Sequence, residues 1–136
     1  MISIILVSHG PLAKALLESA QMVAGRQKQV YALGLEPLET AEHFKARVQA
    51  QLERCLIRGG VVLVSDLLLG TPFNVSAELM QTHQFRHLTA MSLPLLLNLL
   101  SARESKTDLA ALCRGALEKA SAQMMDVNDF VGGLSQ

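Results

Sequence analysis

Two stretches decide the fold: Ile2-Ser3-Ile4-Ile5-Leu6-Val7-Ser8-His9-Gly10, and Val61-Val62-Leu63-Val64-Ser65-Asp66-Leu67-Leu68-Leu69-Gly70-Thr71-Pro72-Phe73-Asn74. Each begins as a short apolar run rich in β-branched residues, the pattern of a strand buried on both faces. Each run stops at a polar turn that leads into a helical pattern. In a parallel α/β sheet such strand ends share one edge, and binding sites form along that edge. The reading therefore brings His9 and Asp66 together beside a Gly70-Thr71-Pro72 turn.

The rest of the chain follows the same alternation. Pro11 to Ala24 reads as a helix with a stripe of Leu12, Ala15, Leu16, Ala20 and Val23, opened by Pro11 and stopped by Gly25. Val30 to Leu35 is a second strand. Glu36-Pro37-Leu38-Glu39-Thr40 leads into a helix that runs to about Ile57, and Gly59-Gly60 ends it. A short helix is expected from Pro72 to about Gln81, a weak fourth strand from Leu88 to Ser92, and a helix from Pro94 to about Arg103. Thr107 or Asp108 would cap a further helix from Leu109 to about Met124, and Met125 to Val131 reads as one more strand. Strands alternating with helices predict a doubly wound, mainly parallel sheet with helices on both faces. Residues 1–136 read as a single domain without linker, repeat or low-complexity segment.

Composition narrows the function. Lys and Arg number 12 and Asp and Glu 12, so nothing in the composition suggests an electrostatic footprint for nucleic acid or a membrane surface. The opening apolar run has no basic segment before it and ends after a few residues, so it does not read as a secretory leader, and Pro94 and Asn98 interrupt the most apolar run, Leu93 to Leu100. Cys55 and Cys113 lie in helical patterns without metal spacing and read as buried thiols. The expectation is a soluble, cytoplasmic protein. His43, His83 and His87 read as surface residues, and Met22, Met80, Met91, Met124 and Met125 as core filling, with Met22 open to exposure.

A histidine beside a carboxylate suits phosphoryl chemistry. If Asp66 accepts a hydrogen bond from Nδ1–H of His9, the Nε2 lone pair is free to attack phosphorus, and the carboxylate stabilises the imidazolium that develops. Backbone N–H groups at Gly70 and Thr71, opening a helix, can cradle anionic oxygens. Gly10 permits a sharp turn and the close approach of a partner. Taken singly, each piece has a plainer role: a histidine after a strand is often structural, an aspartate there often caps a helix, and Gly-Thr-Pro is an ordinary turn.

At these residues the sequence resembles the IIA domain of the mannose-type sugar phosphotransferase system. The resemblance covers essentially the whole chain. It rests on Ile4 to Gly10, on Val61 to Asn74, on Met22 with Gly25, on Ser92-Leu93-Pro94-Leu95-Leu96 and on Arg103-Glu104. It implies His9 as the phosphorylated histidine, Asp66 as its orienting carboxylate, and Gly10, Gly70 and Thr71 around the phosphoryl group. Met22, Leu69, Leu93 and Pro94 would dock partners. It further implies a phosphocarrier that takes a phosphoryl group from phospho-HPr and passes it to a separate IIB component. The chain would be a homodimer exchanging a C-terminal strand, would meet the membrane only through a IIC/IID permease, and would need no metal, nucleotide or other cofactor. Leu69 departs from the family's Gly-Gly pair and would be strained if its position requires positive φ. Two alternatives stay open: a sirohydrochlorin-type metal chelatase, which needs a second inward histidine such as His83 or His87, and a IIA-like regulatory phosphoacceptor module.

Overall fold

The computed structural model describes residues 1–104 and 108–134. Strands β1 (Ser3–His9), β2 (Val30–Leu35), β3 (Val61–Ser65) and β4 (Arg86–Leu88) form one sheet in the order β2-β1-β3-β4. Every pairing is parallel. The intervening and following helices are α1 (Leu12–Ala24), α2 (Ala41–Arg58), α3 (Thr71–Leu79), α4 (Leu93–Ala102), α5 (Leu109–Ser121) and α6 (Val127–Leu134).

Period-two alternation along the strands builds two cores. Ile4, Leu6, Val62, Val64 and Leu88 face α1, α4 and α5, packing on Ala13, Ala20, Leu95, Leu96, Leu99, Leu112 and Cys113. Ile5, Val7, Val61 and Leu63 point the other way, onto Phe44, Val48, Leu52 and Cys55 of α2 and Val75 and Leu79 of α3. Both cysteines are therefore buried and free, as their patterns predict.

Topology then places the site. β1 and β3 are neighbours, with Val7 opposite Ser65, so the chain leaves both strands side by side at His9 and Asp66. The chain crosses from β1 to β2 on one side and then returns past β1 to β3 on the other, which makes this edge a topological switch point.

Four expectations need correction. The fourth strand is Arg86–Leu88, earlier and shorter than Leu88 to Ser92, because Ala90 turns to φ 62° and Ser92 already caps α4, accepting from the Leu95 N–H at 3.2 Å. The tail is helical rather than a strand: Asp126 accepts from the Asn128 and Asp129 N–H groups and starts α6. The buried face of α1 is Ala13 and Ala20 with Leu16 and Leu17, while Leu12, Ala15 and Val23 are exposed, since small alanines allow close approach to the sheet. Among the methionines only Met91 packs against a core; Met22, Met80, Met124 and Met125 are exposed. Asp108 caps α5, accepting from the Ala110 and Ala111 N–H groups; Thr107 lies outside the described residues.

Candidate functional site

His9 ends β1 and Asp66 follows β3, so two independent strands hold the pair. Asp66 Oδ2 accepts from the His9 backbone N–H at 2.9 Å and lies 2.7 Å from Nδ1 of the same residue. Its other oxygen accepts from the Leu67 N–H at 3.0 Å. The carboxylate is nearly enclosed, with 4% of its side chain exposed, whereas 49% of the imidazole is open to solvent. Burial pushes the Asp66 carboxyl upward, but the backbone N–H of His9, the His9 ring and the Leu67 N–H together outweigh it. The net effect is a pKa below the usual aspartate value, hence a carboxylate at neutral pH. A carboxylate only accepts, so Nδ1 carries the proton and Nε2 presents its lone pair outward.

What Nε2 faces is the start of α3. Gly70 precedes that helix with φ 87° and ψ 167°, a conformation essentially confined to glycine. A Cβ placed there would lie 3.2 Å from Cε1 and 3.6 Å from Nε2 of His9. The first intrahelical bond is from the Asn74 N–H to the Gly70 carbonyl at 2.8 Å. The Thr71 and Phe73 N–H groups therefore have no acceptor within the helix, and Gly70 has no side chain to cap them. A helix N-terminus in this state is an anion site, and it abuts the open imidazole nitrogen.

The turn after β1 is built by two small residues. Gly10 takes φ 53° and donates its N–H to the Leu35 carbonyl at 2.9 Å, fixing β1 beside β2. Ser8 is fully buried and its Oγ accepts from the Ala13 N–H at 2.8 Å, replacing the cap that Pro11 cannot provide to α1.

The structure thus brings together His9, Asp66, Gly10, Gly70 and Thr71. Leu69 belongs to the same edge, at φ 69° and 61% exposed. Leu93 and Pro94 open α4 at this edge and are half-buried. Met22 is not brought there: it lies ten residues beyond Leu12, about 15 Å down α1 toward the opposite edge.

Besides the exposed His43, whose Nδ1 lies 2.6 Å from Glu39, two histidines have partners elsewhere. His83 Nε2 meets Glu53 at 2.9 Å, and that contact lowers the Glu53 pKa. His87 is not a surface residue: its Nε2 lies 2.9 Å from Ser65 Oγ, its ring packs on Phe73 at a 42° tilt with centroids 4.9 Å apart, and burial depresses its pKa. Neither reaches His9. Ser8, Ser65 and His87 also belong to this edge, beyond the residues expected from sequence. For His87 the available signal was register, since it pairs with Leu63 and so points toward α3.

Comparison with known proteins decides the family. The model of the EIIA-man family, PTS system fructose IIA component, matches residues 3–117. The chain belongs to this family. It is 35% identical over 100 residues to the PTS system sorbose-specific EIIA component of Klebsiella pneumoniae, covering 73% of each chain. It is 29% identical over 118 residues to the PTS system mannose-specific EIIAB component of Escherichia coli K12, covering 86% of this IIA chain. In that alignment it spans 36% of the E. coli protein's length. Among solved structures, a PTS IIA protein associated with the fucose utilization operon of Streptococcus pneumoniae superposes with a TM-score of 0.85 at 27% identity, covering 96% of both chains. The EIIA component of Streptococcus agalactiae, at 24% identity and a TM-score of 0.87 over 95% of this chain and 99% of that one, shares the fold. Among the described residues, no helix of this IIA chain is long and apolar enough to cross a membrane.

Proposed function

We propose that this IIA chain is a phosphocarrier that receives a phosphoryl group on Nε2 of His9 from the phosphohistidine of HPr. It then passes the group to a IIB component, which uses it in sugar uptake and phosphorylation. The observation that carries the reading is the 2.7 Å contact from Nδ1 to an ionised Asp66, with Nε2 open toward Gly70 at the α3 N-terminus. The step balances without a proton acceptor. The Nε2 lone pair forms the new N–P bond while the N–P bond of the donor breaks and its electrons return to the donor imidazole. His9 keeps its Nδ1 proton, so its ring becomes cationic and the Asp66 carboxylate stabilises that charge. The N–H groups of Thr71 and Phe73 and the Thr71 hydroxyl hold the phosphoryl oxygens, work that is mostly positioning and charge stabilisation.

The edge around His9 would receive both partners, with Leu93 and Pro94 on one side and Leu69 on the other. Assembly fits the same picture. Val127, Phe130, Val131 and Leu134 line one face of α6 and are all more than half exposed, although an eight-residue helix is marginal alone in water. We assign that face to a second copy of the chain, giving a homodimer joined through a terminal helix. Membrane association would be indirect, through a IIC/IID permease.

The test is labelling. With phosphoenolpyruvate, Enzyme I and HPr, the protein should gain one acid-labile, base-stable phosphoryl group per chain, and His9→Ala should gain none. Labelling that survives in His9→Ala overturns the assignment.

A further inference from the structure

Leu69 holds a backbone conformation that costs it stability without any visible return inside the fold. Its φ is 69°, in the left-handed region where a Cβ crowds the following carbonyl, and where only Gln29 and Ala90 among other described non-glycine residues also stand. Its side chain is 61% exposed, so little burial offsets the strain. A glycine would adopt the same turn freely, as Gly70 beside it does at φ 87°. The neighbouring positions are alike in character: Leu67 is 52% exposed, Leu68 65%, and Leu12, at the start of α1, 49%. Leu67, Leu68 and Leu69 follow one another in the exposed turn after β3, and the turn reaches the imidazole: a Cβ on Gly70 would lie 3.7 Å from Leu67 Cδ1 and 3.6 Å from His9 Nε2. Backbone strain of this kind persists where function requires it.

We infer that Leu69 is a specificity residue for the protein that phosphorylates His9, and that its strained turn is retained to present the side chain to that partner. The inference rests on the phosphocarrier reading. The partner it fits carries its phosphohistidine within an apolar surface, because exposed leucines gain only by covering apolar area. A small phosphoryl donor needs no docking surface, whereas a protein donor that reaches Nε2 would also cover the exposed turn beside it, which holds Leu69.

The experiment compares two donors and two variants. Phospho-HPr is the protein donor, and phosphoramidate phosphorylates imidazoles without a docking surface. With phosphoramidate, any change in the labelling rate of Leu69→Gly and Leu69→Ala should be much smaller than the change seen with phospho-HPr. With phospho-HPr, KM should rise roughly tenfold in both variants while kcat holds, the effect expected for losing one interface leucine. Leu69→Gly should also melt higher by roughly 3 °C, because the strain is relieved, whereas Leu69→Ala should not. Equal KM in all three proteins overturns the proposal. So does a KM increase in Leu69→Gly alone, which would assign the effect to loop conformation, or a parallel loss with phosphoramidate, which would assign it to the site. An increase confined to transfer onto IIB would make Leu69 the acceptor's contact and overturn it as well. A wild-type protein that accepts phosphoramidate but ignores phospho-HPr defeats the phosphocarrier reading itself, and the inference with it.

Discussion

Replacing Gly70 by alanine tests whether the α3 N-terminus is the phosphoryl cradle. The backbone there sits at φ 87° and ψ 167°, where a non-glycine residue costs about 1–3 kcal/mol. The new methyl would also lie 3.2 Å from His9 Cε1, tighter than ordinary contact. The imidazole is half exposed and can swing aside, but doing so stretches its 2.7 Å bond to Asp66. The total loss should be about 2–3 kcal/mol, or roughly 6–12 °C in Tm for a domain of this size. The functional loss is separate. A methyl 3.6 Å from Nε2 occupies space that the phosphoryl oxygens need beside the Thr71 and Phe73 N–H groups. Labelling by phospho-HPr, followed by rapid quench at 10 °C where the variant stays folded, should fall at least roughly tenfold, about 1.4 kcal/mol of barrier. If Gly70→Ala is labelled at the wild-type rate, the anion does not sit at the start of α3, and the geometric case for that cradle is wrong.

Asp66→Asn should slow phosphoryl transfer at least roughly a hundredfold with a small change in stability, because an amide can donate to Nδ1 and hold the wrong tautomer, and carries no charge for the cationic ring; rapid-quench rates near wild type would reduce Asp66 to a structural role. Removal of residues after Met124 should turn a dimer into a monomer without loss of phosphoramidate labelling, read by sizing with light scattering; an unchanged dimer would free α6 from that role. Glu39 lies 2.8 Å from Arg47, and that hydrogen bond holds its pKa down from 4.5 to about 2 against the opposing effect of burial. A folded-state pKa below the unfolded one adds stability that is complete above the unfolded value and lost as pH falls through the folded one. Thermal melts from pH 6 to pH 2 should therefore show a decline below pH 4.5 that is shallower in Arg47→Ala; identical pH profiles would remove the pair from the acid response.

Local chemistry made the parallel sheet, the two site strands and the His9–Asp66 pair legible before any coordinates. Buried parallel strands are continuous apolar runs, so Ile2 to Val7 and Val61 to Val64 announce themselves, and their polar stops mark the functional edge. The positive φ at Leu69 was likewise posed by the sequence, through the departure from a Gly-Gly pair. Its actual value belongs to the closed loop between β3 and α3. The tail misled because Met125 to Val131 is short and apolar, and such a run forms either strand or helix; the Asp126 cap tipped it to helix. Helix faces misled for a related reason. On α1 the sheet selects the small Ala13 and Ala20 for close packing, and the bulkier Leu12 and Val23 are turned outward, which hydrophobicity alone does not foresee. His87 shows the limit most clearly. Arg86 precedes it and Leu88 follows it, a pattern that does not say which way its ring points, and only the pairing of β4 with β3 sets it between Ser65 and Phe73. The amino-acid pattern therefore determined which residues end the strands and which chemistry they can perform. Tertiary structure decided the tautomer of His9, the closeness of Gly70 to its Nε2 and the exposure of Leu69, because each depends on atoms that separate elements bring within a few ångströms.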